Sequence, residues 1–159
     1  MKHLINTILL GLCLGTALFF GASAVGADTI AASSIPPADL LQPATLAATL
    51  QSDGAARPFV LQVGFRKLFD EAHIIAAEYA GPAGAGVGLT LLRQRVAKLP
   101  KDSAIVIYCG CCPWDHCPNM GAAFSELRRL GFHNVKALYI AHDFGTDWME
   151  KGYPVIKGG

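Results

Sequence analysis

Four cysteines fall within nine consecutive positions: Cys109, Cys111, Cys112 and Cys117, in the run Tyr108-Cys-Gly-Cys-Cys-Pro-Trp-Asp-His-Cys-Pro-Asn119. The fifth, Cys13, lies far upstream. A single cysteine at a strand end is most often a small buried hydrophobe. Four in one loop mark a local site, because the thiolate is both a strong nucleophile and a soft metal ligand. A small secreted scaffold held by disulfides would spread its cysteines along the chain, which this clustering excludes. Thiol or sulfur chemistry and soft-metal binding remain as the two chemistries of such a cluster.

The elements around the loop decide how it is presented. Ala104–Tyr108 (AIVIY) is a β-branched run bounded by Lys101-Asp102 and the cysteine loop, and it reads as a buried strand. From Pro118 to Leu130, Phe124, Leu127 and Leu130 recur at helical spacing and Gly131 ends the helix. The sequence also predicts a helix over Pro43–Gln51, a strand over Phe59–Val63 and a brief strand over Ile74–Ala77. Further on it predicts a glycine-rich loop over Gly81–Gly88, a helix over Leu89–Leu99, a strand over Val135–Ile140 and a last short helix over Gly145–Lys151. Strands alternating with helices imply an α/β fold with a central, mainly parallel sheet flanked by helices on both faces. Sites in such sheets lie outside the carboxyl ends of the strands, which is where Cys109 falls. Cys117 occupies the N-cap position of the next helix, whose free amides and dipole favour a thiolate.

The rest of the composition narrows the class. The chain has 159 residues, 52% apolar and 16% charged, and a net charge of +1 gives no field for gripping a phosphate backbone. No nucleic-acid partner is expected. Residues 1–27 combine Lys2, an apolar run from Ile8 to Phe20 and small residues up to Ala27, as in a secretory signal peptide. An uncleaved N-terminal anchor is the rival reading, and only then would the chain meet a membrane. Either way the chain is expected to be exported, to a periplasm or a comparable compartment. Residues 28–39, with Pro36-Pro37, read as a flexible linker, and residues 40–157 as one domain.

With these elements in place, the chain resembles the single-domain rhodanese (sulfurtransferase) family. The resemblance rests on a strand ending in Cys109, a turn, and a helix running Leu127-x-x-Leu130-Gly131-Phe132-x-x-Val135. It is extended by the close Trp148-x-x-x-Gly152-Tyr153-Pro154-Val155. Leu46-Ala47, Val60–Val63, Phe69 and His73-Ile74 match the family's first half, so residues 38–157 are covered. The resemblance implies a three-layer fold and a cysteine, here Cys109, that takes up a sulfur atom as a persulfide and passes it on. Three departures stand out. Gln62-Val63-Gly64 replaces the usual Asp-x-Arg, and Ala72-His73-Ile74-Ile75-Ala76-Ala77 replaces the Gly-His-Ile-x-Gly-Ala stretch. The loop from Cys109 to Asn119 is long and holds no Lys or Arg, which counts against a thiosulfate dianion and against phosphatase or arsenate-reductase chemistry.

On this reading Cys109 is the nucleophile, and Cys111, Cys112 or Cys117 resolves it by thiol exchange, through a Cys112–Cys117 or a Cys109–Cys117 disulfide. Adjacent Cys111 and Cys112 stand about 3.8 Å apart at Cα, too close for a usual disulfide with each other. Loop support is expected from Trp114, Asp115 and His116, His116 being the loop's one titratable cation. His142-Asp143, after a later strand, could orient a proton acceptor, or Asp143 could cap the last helix. The expected partner is a small sulfur-containing substrate or a thiol protein, with no cofactor. The alternative uses Cys109, Cys111, Cys112, Cys117 and His116 to bind Cu or Zn. Paired C-x2-C knuckles and a C-x-x-C-H motif are absent, which argues against structural zinc and excludes covalent haem. A domain of this type that has lost catalysis and only binds partners is the third possibility. The Gly81–Gly88 run could form a flap, while His73 suits a structural role and Arg93, Arg95, Lys98 and Lys101 a solvated basic face.

Overall fold

The computed structural model describes residues 32–53 and 56–158. The expected leader, 1–27, and the beginning of the connector lie outside the described residues. The strands are β1 (Leu40–Leu41), β2 (Phe59–Gln62), β3 (Ala72–Ile74), β4 (Ala77–Tyr79), β5 (Ile105–Tyr108), β6 (Val135–Leu138) and β7 (Val155–Lys157). The α-helices are α1 (Pro43–Gln51), α2 (Arg66–Glu71), α3 (Gly86–Val96) and α4 (Pro118–Arg129). Five strands form a wholly parallel sheet in the order β1-β6-β5-β2-β4, and β3 pairs with β7 antiparallel in a small second sheet.

β5 is buried at every position, as a central strand covered on both faces must be. Its alternation divides the core. Ile105 and Ile107 point towards Leu92 and Val96 of α3 and Leu127 of α4, while Val106 and Tyr108 point towards Leu46 and Leu50 of α1 and Trp148. Each fully buried large apolar side chain in these layers contributes on the order of 1.5–3 kcal/mol. The result is the expected three-layer arrangement. The chain leaves β2 towards β4 on one side and leaves β5 towards β6 on the other, so β2 and β5 flank the topological switch point. Crevices for ligands form there in parallel sheets.

Several local expectations need correction. Residues 32–39, read as a flexible linker, form two 3-10 turns, Ala32–Ser34 and Pro37–Asp39, and Ala32 and Ile35 are buried in the same core layer as Trp114 and Cys117. Asp39 fixes the second turn through Arg128 at 2.9 Å and Lys136 at 3.1 Å. The single strand expected over Ile74–Ala77 is two strands in different sheets. The chain turns between them at Ala76, whose φ of 63° no continuous strand allows. α2 has no buried residue and therefore no apolar period to read, and it is braced by an Arg66–Asp70 pair at 2.8 Å. α3 begins at Gly86 instead of Leu89. Ala83 is buried and the Gly88 backbone packs against Pro82, so the glycine run is a packed corner rather than a flap. Gly145–Met149 is a single π-helical turn. Among the described residues no helix is long and apolar enough to cross a membrane.

Candidate functional site

All four loop cysteines converge beyond the carboxyl end of β5, and all are free thiols. Cys109 leaves the strand on the α3/α4 face, 3% exposed. Gly110 then turns the chain with a φ of 71°, and a Cβ there would stand 2.7 Å from Phe144 Cβ, so only glycine fits both the angle and the space. The turn brings Cys111 Sγ to 3.1 Å from Cys109 Sγ and to 3.1 Å from Cys112 Sγ. A 3-10 turn over Trp114–His116 then delivers Cys117, 3% exposed, to the N-cap position of α4. The sulfurs of Cys109, Cys111 and Cys117 all lie within 4.8 Å of one another, a set of donors that could hold a metal ion.

The cluster favours negative charge at Cys117. The Cys109 thiol, then the Cys111 thiol, both with sulfurs within 4.8 Å of its own, favour the charged form, and the Asn119 and Met120 amides add to them at the helix N-terminus. Together they overcome burial and hold Cys117 far below the ordinary thiol range. Cys109 gains from Cys111, but the nearby Cys117 sulfur and burial outweigh that and push it up to about 12. Cys111 is pushed up by its bond to Cys109, and Cys112 by burial. The surroundings therefore favour a thiolate at Cys117 and oppose one at its three neighbours.

Asn119 was not singled out from the sequence, and it organises the site. It is 2% exposed and donates through Nδ2 to Cys109 Sγ at 3.3 Å and to Cys111 Sγ at 3.8 Å. Its Oδ1 accepts from the Gly84 amide at 2.8 Å, which ties the glycine corner to the thiols. An Asn two residues beyond a capping cysteine, on the inward face of a helix, is the signal that could have found it.

The cluster opens onto a cavity. A cavity of about 390 Å³ is lined by Cys109 and Cys111 with Gln62, Tyr108, Glu71 and Asp143, and with apolar walls from Leu68, Phe144 and Met149. Cys117 is not among its lining residues. Gln62, at the end of β2, donates through Nε2 to the Cys109 carbonyl at 3.5 Å. Gly64 lies beside both groups, and a Cβ there would fall 2.9 Å from Cys109 Sγ.

The remaining expected residues separate into different roles. Trp114 is buried and packs on Tyr139 with ring centroids 5.1 Å apart. Asp115 and His116 are exposed, and His116 contributes its carbonyl, accepting from Cys112 Sγ at 3.8 Å. His142 is exposed and pairs with Asp147, Nδ1 to Oδ1 at 3.1 Å, instead of with Asp143. Asp143 caps the π-helical turn by accepting from the Thr146 amide at 2.8 Å. His73 stacks on Phe69 at 4.0 Å, a structural role.

No family model and no curated protein matches the chain. Solved structures do. The rhodanese-like domain of the Alr3790 protein from Anabaena sp is 20% identical over 75% of this chain and 79% of that one, with a TM-score of 0.56. The BH2092 protein from Bacillus halodurans is 21% identical over 74% of this chain and 76% of that one, with a TM-score of 0.57. EanB in complex with hercynine is 19% identical with a TM-score of 0.52, over 74% of this chain but only 27% of that much longer protein. At these identities the likeness is one of architecture. The parallel five-stranded sheet, the switch-point crevice and these similarities together show that the chain has the rhodanese-like fold, with a cysteine cluster at the end of its central strand.

Proposed function

We propose that this protein carries sulfur as a persulfide on Cys109 and hands it to a thiol acceptor. The observation that supports this most directly is the placement of the sulfurs: Cys109, at the end of the central strand, lines the cavity with Cys111, while Cys117, whose surroundings favour a thiolate, does not. A donor persulfide R–S–SH enters the cavity. As the Cys109 sulfur attacks its outer sulfur, the Cys109 proton passes to Cys117. The donor S–S bond breaks, R–S⁻ leaves and takes up that proton, and Cys109–S–SH remains. The transfer is redox-neutral. An acceptor thiolate then attacks the same outer sulfur and regenerates Cys109. Cys111, the nearest neighbour at 3.1 Å, is the resolving thiol. If it attacks the inner sulfur, it forms a Cys109–Cys111 disulfide and releases HS⁻. The apolar run of residues 1–27 supports export, where donor and acceptor would be small sulfur compounds or thiol proteins.

One observation favours a second reading. Three sulfurs within 4.8 Å of one another, with Cys112 adjoining, suit a soft ion such as Cu(I) or Zn(II). Both readings are tested on one reduced preparation of the exported protein. It is treated with a persulfide donor, its intact mass and metal content are measured, and cyanide is used to release transferable sulfur. Wild type is expected to gain one sulfur atom and Cys109→Ser none. Stoichiometric metal with no cyanide-releasable sulfur would overturn the sulfur reading in favour of the metal one.

A further inference from the structure

The cavity in front of Cys109 also has a chemical preference. Its lining residues include two carboxylates, Glu71 and Asp143, and no Lys, Arg or His. Glu71 is half-exposed and meets Lys67 at 3.8 Å, a solvated pair that leaves the carboxylate at the cavity wall. The positive end of α4 faces Cys117 behind the cluster, so that source of anion affinity is directed away from the cavity. Inside, Gln62 Oε1 is the one buried side-chain polar atom among the described residues without a hydrogen-bond partner. The orientation of the amide is set from the other side, where Nε2 points at the Cys109 carbonyl. Reversing it would place two acceptor oxygens against each other. Oε1 is covered while the cavity is empty, and a small shift of the Gln62 side chain, itself 2% exposed and part of the cavity wall, would let a donor on the ligand satisfy it.

We infer that the cavity selects a small organic persulfide that is uncharged or cationic and carries an N–H donor for Gln62 Oε1, and that it rejects anionic donors such as thiosulfate. The inference rests on the sulfur-transfer reading above and names its substrate class. Leu68, Phe144 and Met149 would cover the carbon skeleton. The carboxylates attract an ammonium and repel a dianion, and the small footprint of Gly64 keeps the approach to Cys109 Sγ open.

The test compares loading of the reduced full chain by cysteamine persulfide, glutathione persulfide and thiosulfate, read as the rate at which the intact mass rises by one sulfur atom. The expected order is cysteamine persulfide, then glutathione persulfide, then thiosulfate. Gln62→Leu is expected to slow cysteamine persulfide roughly tenfold or more, as happens when a site loses the partner of a substrate N–H. Glu71→Lys, on the cavity wall and outside the core, is expected to speed thiosulfate and slow cysteamine persulfide. Loading in which thiosulfate matches the cationic donor, or an order that neither variant changes, would overturn the inference and leave sulfur transfer standing. Failure of every donor to load any cysteine would overturn the sulfur reading itself, and the inference with it.

Discussion

Helix α4 holds a partly buried anion near each end, and the two are held by opposite means. At the C-terminal end, the Glu126 side chain, 8% exposed, sits between the guanidinium groups of Arg129 at 2.7 Å and Arg93 at 2.6 Å. Arg129 first, then Arg93, outweigh burial and hold its carboxyl at about 2. At the N-terminal end, Cys117 is stabilised by thiol hydrogens and helix amides, with no Lys or Arg in its loop. An anion bound by two guanidinium groups is locked and ties α3 to α4. An anion held by exchangeable thiol protons can accept one of those protons, and in the proposed function this is what makes the N-terminal end reactive.

The largest effect should follow from removing the sulfur proposed to carry the persulfide. Cys109→Ser is expected to abolish persulfide loading while the fold survives, as judged by an unchanged circular dichroism spectrum. Cys117→Ser comes next, and its signature is in the pH profile. Because the Cys117 pKa is depressed, wild type keeps its proton acceptor as pH falls and should load sulfur at a nearly constant rate between about pH 5 and 8. The variant must ionise Cys109 unaided, so its rate should fall about tenfold per pH unit below the ordinary thiol range near 8.5. Stopped-flow loading across that range distinguishes the two. A flat profile in Cys117→Ser would show that the stored thiolate plays no part.

Asn119→Ala probes the link between the thiols and the glycine corner. It removes the partner of the Gly84 amide and a donor from Cys109 and Cys111, so a loss of about 0.5–1.5 kcal/mol in stability and slower loading are expected. Urea unfolding and the loading assay together measure both. The smallest effect on chemistry belongs to the other end of the helix. The depressed carboxyl of Glu126 contributes stability above the usual carboxylate range near 4.3, and that contribution is lost as pH falls towards about 2. Glu126→Gln should therefore lower neutral-pH stability by about 1.5–3 kcal/mol, flatten the acid side of the stability curve and leave the loading rate intact. A change in loading rate would mean that the two ends of α4 are coupled.

The legibility of these regions in the sequence follows their physics. β5 and α4 were readable because burial on both faces makes Ile105–Tyr108 uniformly apolar, and burial of one helix face spaces Phe124, Leu127 and Leu130 helically. The cysteine cluster was readable because its members are neighbours in the chain. α2, β1 and β7 carried little signal, being short or weakly buried. The division of labour between Cys109 and Cys117 was only half visible. The N-cap position announced a low pKa at Cys117, but the cavity that Cys109 faces is built by Gln62, Glu71 and Phe144 from three separate segments. Asn119, Gln62 and the docked turn at Ala32–Ser34 act through contacts distant in sequence, where a single sequence offers no periodicity to follow.

The most direct test is to locate the transferred sulfur. Reduced protein is loaded with one equivalent of cysteamine persulfide near pH 6, alkylated, digested and mapped by fragment ions across the peptide that contains all four thiols. The account predicts the additional sulfur on Cys109. Its appearance on Cys117 would contradict the division between the sulfur that reacts and the sulfur that holds the charge.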